Sequence, residues 1–297
     1  MPEIPHDAEW QAKTREIAPE EPPVKVEKPR KVLTFSLATG FKHWCIPHTA
    51  SVVRILGDKT GAYECVESND IEQFLPENLE QYDAVVLNNT CPDGKDRDTF
   101  RDVLINKMDQ YGGKYKEMPL AEREELAKKL YRSLVSYVSD GGGLVLLHGG
   151  ITAFMYSDEF SAMVGGSFHY HPPQEEFAIV PVGSGHPLLK PFGGEPFVHV
   201  DEPYYMNRAY SKLDFLPLLE IDMETLEPAA RKGRGEPEAE LPRYVAWVRP
   251  HKQGRVFFCS PSHNAQSFEK PELLGFILGG MQYALGDLKC DDKTPER

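Results

Sequence analysis

The chain has 297 residues, 40% of them hydrophobic, which is enough to bury a sizeable core in one large α/β domain or two small ones. Acidic residues outnumber basic ones by 46 to 33, a formal charge of −13 that no Lys/Arg-rich cluster offsets. Such a charge repels phosphate backbones, so we expect no nucleic-acid partner. The five cysteines form no C-x-x-C pair, which argues against a disulfide framework and against a structural zinc site.

The amino-terminal segment predicts neither a signal peptide nor a membrane span. It has no basic stretch followed by an apolar run, and no apolar stretch in the chain approaches the roughly 20 residues that cross a bilayer. We therefore expect a cytoplasmic protein with no membrane partner, although a removed leader would leave no trace here. Residues 1–30 are rich in proline and charge, which predicts an extended arm. Trp10 would anchor this arm to the body or to a second subunit, making a homo-oligomer.

Ordered structure is predicted to begin at Lys31, with strands that alternate with helices. The strands are predicted over 31–38, 62–68, 82–89 and 143–148, and the first helix over 49–56. A longer helix opens at Pro119 and stops at Gly141, with leucines and valine recurring every four residues on one face. This alternation predicts a parallel sheet with right-handed crossovers.

The second half of the chain is richer in strands. They are predicted over 175–182, 196–200, 215–222, 243–248 and 254–260, before a last helix over about 271–285. The glycines, prolines and charged residues of 227–242 predict a surface loop. Residues 106–118 are predicted to form a similar loop at the rim of a cleft. We therefore expect an α/β fold: a mostly parallel central sheet flanked by helices. One domain would span 31–286, followed by a tail over 287–297.

Segments that contain polar residues follow three of the predicted strands, where open parallel sheets bind their ligands. They are Phe41-Lys42-His43-Trp44, Asn88-Asn89-Thr90 and His148-Gly149-Gly150. Paired glycines allow a sharp turn into a helix and leave backbone N–H groups free for an oxyanion. The third segment resembles the elbow of nucleophilic hydrolases, but with a histidine at its tip. A histidine there indicates acid–base catalysis, electrostatic stabilisation or metal binding, unless it is a core residue whose hydrogen bonds are satisfied inside the protein.

Further histidines and carboxylates could join this site. His169 and His171 would share one face of a strand, His199 lies beside Asp201 and Glu202, and His263 follows a strand. Three histidines and a carboxylate would suit a divalent metal ion, with His148, His171 and His263 as candidate ligands. No H-E-x-x-H motif supports a metal, and Asp201-Glu202 could instead hold a turn or pair with Arg208.

Several ordered blocks of the sequence resemble the trehalose-utilisation (ThuA-like) proteins, whose fold is like that of class I glutamine amidotransferases. The blocks run from about Lys31 to Leu285 and are G-F-K-H-W-C-I-P-H, Y-D-A-V-V-L-N-N-T, Y-V-S-D-G-G-G-L-V-L-L-H-G-G, V-G-G-S-F-H-Y-H-P, H-V-D-E-P-Y, V-A-W-V with G-R-V-F-F, and S-H-N. The last block departs from its relatives, which usually show Gly-His. The resemblance implies that His148 occupies the slot of the amidotransferase cysteine, so glutaminase chemistry is excluded.

The resemblance also implies a role in the catabolism of sugars or keto-sugars. We expect an isomerase, lyase or hydratase that moves a proton beside a sugar carbonyl, with a divalent metal as its only candidate cofactor. Glu202 or His171 would be the base, and His148, glycine amides or a cation would hold the oxyanion. The catalytic candidates are His43, His148, His171, Glu202 and His263, and the sugar-binding candidates are Trp44, Asn88, Asn89, Gly149, Gly150 and Tyr204. A non-catalytic sugar-binding protein and a metal-dependent glycoside hydrolase are the alternatives.

Overall fold

The computed structural model describes residues 1–183, 185–232 and 242–295. Eleven strands lie within these ranges: β1 (Lys31–Phe35), β2 (Glu64–Ser68), β3 (Ala84–Asn88), β4 (Gly143–Leu147), β5 (Ser167–Tyr170), β6 (Glu175–Pro181), β7 (Phe197–Asp201), β8 (Tyr205–Asn207), β9 (Leu216–Ile221), β10 (Tyr244–His251) and β11 (Gly254–Cys259). The α-helices in the same ranges are α1 (Ala8–Ile17), α2 (Ile46–Thr60), α3 (Pro76–Leu79), α4 (Thr99–Arg101), α5 (Met108–Tyr111), α6 (Leu120–Ser139), α7 (Asp158–Val164), α8 (Pro228–Arg231) and α9 (Pro271–Ala284). None of these helices is long and apolar enough to cross a membrane.

Nine strands form one central sheet in the order β2-β1-β3-β4-β11-β10-β9-β6-β7. Neighbours from β2 to β11 are parallel, and neighbours from β11 to β7 are antiparallel. Strands β5 and β8 form a separate two-stranded sheet. The α/β class is therefore confirmed, and the strand-rich second half supplies the antiparallel part of the sheet.

Helices cover both faces of the sheet, and the central strands feed an apolar core on each side. In β4, Leu146 packs with the core that contains α6, whereas Leu147 packs with the core that contains α2 and α9. The predicted apolar face of α6 lies against the sheet, with Leu130 and Val138 fully buried. Burial on both faces explains why the parallel strands read as continuous apolar runs.

The amino-terminal arm is not extended throughout, because residues Ala8–Ile17 form α1. The Asp7 side chain accepts a hydrogen bond from the Trp10 N–H and caps the helix. The Trp10 ring is buried and meets His48 of α2 edge-on, with 4.6 Å between ring centroids. The arm therefore packs on the body of its own chain, and an oligomer formed through it stays a prediction.

Two predicted loops also contain helical turns. Residues 106–118 include α5 and a 3₁₀ turn at Gly113–Tyr115, and they do not line the cleft described below. Of the surface loop predicted over 227–242, Pro228–Arg231 forms α8, and residues 233–241 lie outside the described residues. Proline at the start of α8 and glycine after α5 limit both helices to about one turn.

Candidate functional site

The turn after β4 holds His148 in a backbone conformation that non-glycine residues seldom adopt. Its φ is 46°, and a 3₁₀ turn (His148–Thr152) follows at once. Gly150 is required beside it, because a Cβ there would collide with the carbonyl oxygen of Leu87 in β3. The sharp turn directs the His148 side chain into the space beyond the carboxyl ends of the parallel strands.

The His148 ring is fully buried, and polar groups contact both of its nitrogens. Nδ1 lies 2.8 Å from the carbonyl oxygen of Ser260, which can only accept, so Nδ1 carries a proton. Nε2 faces three groups: Glu202 Oε2 at 3.2 Å, His263 Nδ1 at 3.2 Å and the Tyr204 hydroxyl at 2.7 Å. The ring is therefore part of a polar cluster rather than an isolated core histidine.

Glu202, just after β7, lies at the centre of this cluster. Its Oε2 is 3.3 Å from His263 Nδ1, and its Oε1 is 3.3 Å from His171 Nε2. Burial alone would raise the pKa of Glu202, but hydrogen bonds with His148 and His263 outweigh it and lower that pKa well below its ordinary range. Burial lowers the pKa of His148, yet the contact with Glu202 raises it overall. The Glu202 carboxylate is therefore held ionised.

Asp201 is a second buried carboxylate that positions its neighbours. It accepts hydrogen bonds from the backbone N–H groups of Glu202 at 2.7 Å and of His263 at 3.3 Å. Its Oδ2 also lies 3.4 Å from Nδ1 of His199. Burial lowers the pKa of His199 to about 4, so this ring is neutral at pH 7. Asp201 thus fixes two members of the cluster through their backbones, a role that the sequence did not indicate.

A cleft with a volume of about 630 Å³ opens beside the cluster. Its described lining residues are Gly40, Phe41, Lys42, His43, Cys91, Pro92, Asp93, Arg97, Thr152, Met155, Phe168, His169, His171, Glu202 and Tyr204. His148 and His263 contact Glu202 but do not line the cleft. A larger hollow of about 780 Å³ lies near the amino ends of β3 and β4, and its described lining includes no histidine or cysteine. Reactive groups therefore converge on the smaller cleft.

Two histidines in the cleft wall differ in their surroundings. Burial and the neighbouring rings of His148 and His263 lower the pKa of His43 to about 2, so its ring is neutral. His171 is one-third exposed, and its Nδ1 lies 2.8 Å from the carbonyl oxygen of Pro172, to which it must donate. Its Nε2 lies 3.3 Å from Glu202 Oε1.

The sugar-binding candidates fall into two groups. Tyr204 lines the cleft. Trp44 instead packs beside His48, with 5.2 Å between ring centroids, on the side that α1 covers. Tyr204 therefore remains a candidate for contact with a ligand, and the structure does not bring Trp44 to the cleft.

The other sugar-binding candidates follow β3 and β4 and form hydrogen bonds or tight contacts in the turns after these strands. Asn88 donates hydrogen bonds to Ser36 and to the backbone of α2. Asn89 accepts one at 3.3 Å from the Gly149 N–H, so that amide already has a partner. Asn88, Asn89, Gly149 and Gly150 lie outside the cleft lining and contact the elbow, and their binding of a sugar stays a prediction.

Sequence reasoning missed several residues of the cleft wall. Arg97, Met155 and Phe168 line it, whereas Phe41, which is 63% exposed, belongs to a segment that the sequence had indicated. Arg97 and Met155 come from irregular segments without periodicity, so nothing in the sequence pointed to them. Burial raises the pKa of Cys91 to about 12, so this thiol stays protonated and is no nucleophile at neutral pH.

Comparison with known protein families identifies the chain. The family model of ThuA, described as trehalose utilisation, matches residues 117–284, which is more than half of the sequence. The chain belongs to the ThuA family. Membership in the ThuA family indicates a carbohydrate-related role. No curated protein matches the chain in sequence.

Solved structures share the ThuA fold. A ThuA-like protein from Bacteroides uniformis is 14% identical with a TM-score of 0.61, and the match covers 88% of this chain and 93% of that chain. A ThuA-like protein from Parabacteroides merdae is 18% identical with a TM-score of 0.58, covering 91% and 94%. The cytoplasmic protein STM3548 from Salmonella typhimurium is 12% identical with a TM-score of 0.52, covering 86% and 98%. At these identities the likeness concerns the fold alone.

Proposed function

We propose that this ThuA protein is an enzyme that moves a proton beside the carbonyl group of a sugar or keto-sugar, as an isomerase, lyase or hydratase does. One observation carries the proposal: the ionised Glu202 joins a partly exposed histidine of the cleft, His171, to the buried pair His148 and His263. The carbohydrate role of the family supports a sugar as the substrate.

His171 is the base in this proposal. Its Nδ1–H is held by a backbone carbonyl, so Nε2 is the nitrogen that can accept a proton from carbon. The Glu202 carboxylate, 3.3 Å away, stabilises the imidazolium that then forms. The C–H bond breaks, an N–H bond forms, and the electron pair moves to the carbonyl oxygen of the sugar. Glu202 itself is a weak base, because its pKa is held low.

The enediolate oxygen needs a hydrogen-bond donor that keeps its own proton. His43 lines the cleft as a neutral ring, since its pKa is about 2, and a neutral imidazole can donate a hydrogen bond to such an oxygen. Tyr204 offers a hydroxyl from the same wall. The Tyr204 ring centroid lies 5.9 Å from that of His171, and a ring nitrogen of His43 lies within 4.8 Å of a Glu202 carboxylate oxygen.

The cleft also has apolar surface suited to a sugar ring. Phe41 and Phe168 expose aromatic rings in the wall, and Lys42 and Arg97 supply polar ends. A pyranose presents one face of C–H groups that packs on an aromatic ring and hydroxyls that bind charged groups. The combination favours a carbohydrate over a fully apolar ligand.

Proton transfer can be measured before the full reaction is known. We expect the protein to exchange a carbon-bound hydrogen of one member of a panel of sugars and 3-keto-glycosides with D₂O, detected by NMR. Glu202→Gln and His171→Gln should each slow this exchange about 10²–10⁴-fold, the usual contribution of a positioned acid or base.

His251→Gln is the matched control, because His251 lies in β10 outside the cleft lining and should exchange hydrogen at the wild-type rate. Exchange that is unchanged in both cleft variants would overturn the roles given to them. Tight sugar binding by calorimetry without any exchange or turnover would instead make the protein a sugar-binding protein.

A further inference from the structure

Three ligand atoms from separate parts of the chain meet in a small triangle. The distances are 3.2 Å from His148 Nε2 to Glu202 Oε2, 3.2 Å from His148 Nε2 to His263 Nδ1, and 3.3 Å from His263 Nδ1 to Glu202 Oε2. The three sides are equal to within a tenth of an ångström. All three residues are buried, so few waters can separate them.

The size of this triangle matches one face of a metal coordination tetrahedron. A four-coordinate zinc ion with bonds of about 2.0–2.1 Å to nitrogen and oxygen sets neighbouring ligand atoms about 3.3 Å apart. Two imidazoles and one carboxylate are a donor set of catalytic zinc sites, which keep a further position open. The dimensions and the chemistry of the triangle therefore agree.

Hydrogen bonds explain the same triangle less well. Charge-assisted N–H···O bonds are usually about 2.7–2.9 Å long, shorter than these contacts. Protons on His148 Nε2 and His263 Nδ1 can both point to Glu202 Oε2, but two N–H donors then face each other at 3.2 Å. A cation just off the plane of the triangle would satisfy all three lone pairs at once.

The surroundings of His148 are those of a metal ligand. Its Nδ1–H donates to the Ser260 carbonyl oxygen at 2.8 Å, which turns the Nε2 lone pair toward the triangle. Metal-binding histidines usually donate their second N–H in this way. The ion pairs of Asp201 and Glu202 within the described residues are with histidines alone, so the cluster lacks a fixed positive charge.

We infer that His148, Glu202 and His263 form a binding site for a divalent transition-metal ion of the size of Zn²⁺. His43 offers a fourth nitrogen, and one ligand atom from each of the four residues lies within 4.8 Å of the others. Because Glu202 and His43 also line the cleft, the ion has a route from solvent and can face a bound ligand. The inference goes beyond the proposed function, since metal binding needs no substrate.

Tyr204 competes with the ion for His148. Its hydroxyl lies 2.7 Å from Nε2 and occupies the approach to the nitrogen that a metal ion would need. The hydroxyl must release that nitrogen when the ion binds. Removing it should therefore strengthen metal binding, which is the opposite of what removing a ligand does.

The test uses the full chain, stripped with a chelator and titrated with ZnCl₂ in a calorimeter. We expect one ion per chain with a sub-micromolar Kd. Three substitutions should each weaken Zn²⁺ binding by more than about 100-fold: His148→Ala, His263→Ala and Glu202→Gln. Even the loss of a residue that hydrogen-bonds to a metal ligand typically weakens metal binding about 10–100-fold. Tyr204→Phe should bind Zn²⁺ at least as tightly as the wild type.

His169→Gln is the matched control, because His169 lines the same cleft and is outside the four-residue cluster. It should bind Zn²⁺ like the wild type. Co²⁺ gives a second readout, since a tetrahedral site produces intense visible absorption that the His263→Ala variant should lose. Circular dichroism shows which variants are folded, and Glu202→Gln keeps the shape of the residue if the alanine variants do not fold.

No stoichiometric binding of Zn²⁺ or Co²⁺ to the wild-type chain would overturn the site. Equal binding by the wild type and by folded Glu202→Gln and His263→Ala variants would also overturn it. Metal binding without hydrogen exchange on any sugar would leave the site standing and remove the proposed function, so the two can fail separately.

Discussion

His148 and Asn89 share an unusual backbone conformation at the ends of neighbouring strands. Their φ angles are 46° and 50°, and the Asn89 side chain accepts a hydrogen bond from the residue after His148. Such conformations cost about 1–3 kcal/mol each and persist only where the surrounding structure enforces them. Here the enforced turn places a buried imidazole beside Glu202.

Gly150 is the residue on which this turn depends. Because a Cβ at this position would collide with the backbone carbonyl of Leu87, Gly150→Ala should destabilise the fold by about 1–3 kcal/mol, the usual cost of overpacking. Urea denaturation followed by circular dichroism measures the change. Gly113→Ala is the control, since a Cβ at Gly113 meets open space and should shift stability by less than about 0.5 kcal/mol. Equal stability of both variants would contradict the assignment.

At the scale of single residues, the sequence revealed the groups that follow predicted strands. His43, His148, Glu202 and His263 all follow strands, and the structure brings them within reach of one another. The sequence could not show which nitrogen of each ring faces the others. It also could not separate Asn88, which serves the turn, from a ligand contact, because both uses place an amide after a strand.

Among the helices, α1 is the one that the composition concealed. Prolines lie on both sides of its ten residues, and charged residues lie within them as well as around them. The Asp7 cap and the buried Trp10 were too short a signal to outweigh this composition. By contrast, α6 was predicted well, because its apolar residues recur over twenty positions. Length and periodicity therefore decided which helices the sequence could reveal.

Trp10 should be the residue that fastens α1 to the body. Trp10→Ala removes a buried ring that packs against His48, a loss of about 3 kcal/mol, and should speed amide hydrogen exchange over Ala8–Ile17 by about 100-fold. Mass spectrometry of exchanged peptides measures the change. Lys13→Ala, on the exposed side of the same helix, should leave exchange unchanged. Unaltered exchange in Trp10→Ala would show that other contacts hold the helix.

The whole molecule should lose stability in mild acid, because it buries neutral histidines. The folded pKa of His199 is about 4, whereas an unfolded histidine has a pKa of about 6.5. The unfolded chain therefore binds more protons between these two pH values. The contribution of His199 to the free energy of unfolding is complete above pH 6.5 and is lost as the pH falls toward 4. This group alone should cost about 2 kcal/mol between pH 7.5 and pH 5.

His199→Gln isolates this effect, since glutamine does not titrate. The difference in unfolding free energy between wild type and variant, from urea melts at pH 7.5 and pH 5, should shift by about 2 kcal/mol in favour of the variant at pH 5. A difference that does not change with pH would show that folding leaves the pKa of His199 unchanged.

For the whole fold, the sequence predicted the parallel half of the sheet but not the complete strand order. Strands β1 to β4 alternate with helices, and that alternation limits the topology. Strands β6, β7, β9, β10 and β11 follow one another without such helices, so many antiparallel pairings are compatible with their patterns. The small sheet of β5 and β8 was missed, because Tyr205–Asn207 is only three residues long.

The wide spacing of the four clustered residues has a consequence for synthesis on the ribosome. His148 and His263 are 115 positions apart, and His43 precedes both. Domains emerge from the amino terminus first, and contacts between distant segments form late. A nascent chain that has not yet released β11 and the residues after it lacks one of the four groups. The cluster of four side chains can therefore assemble only after His263 has left the ribosome.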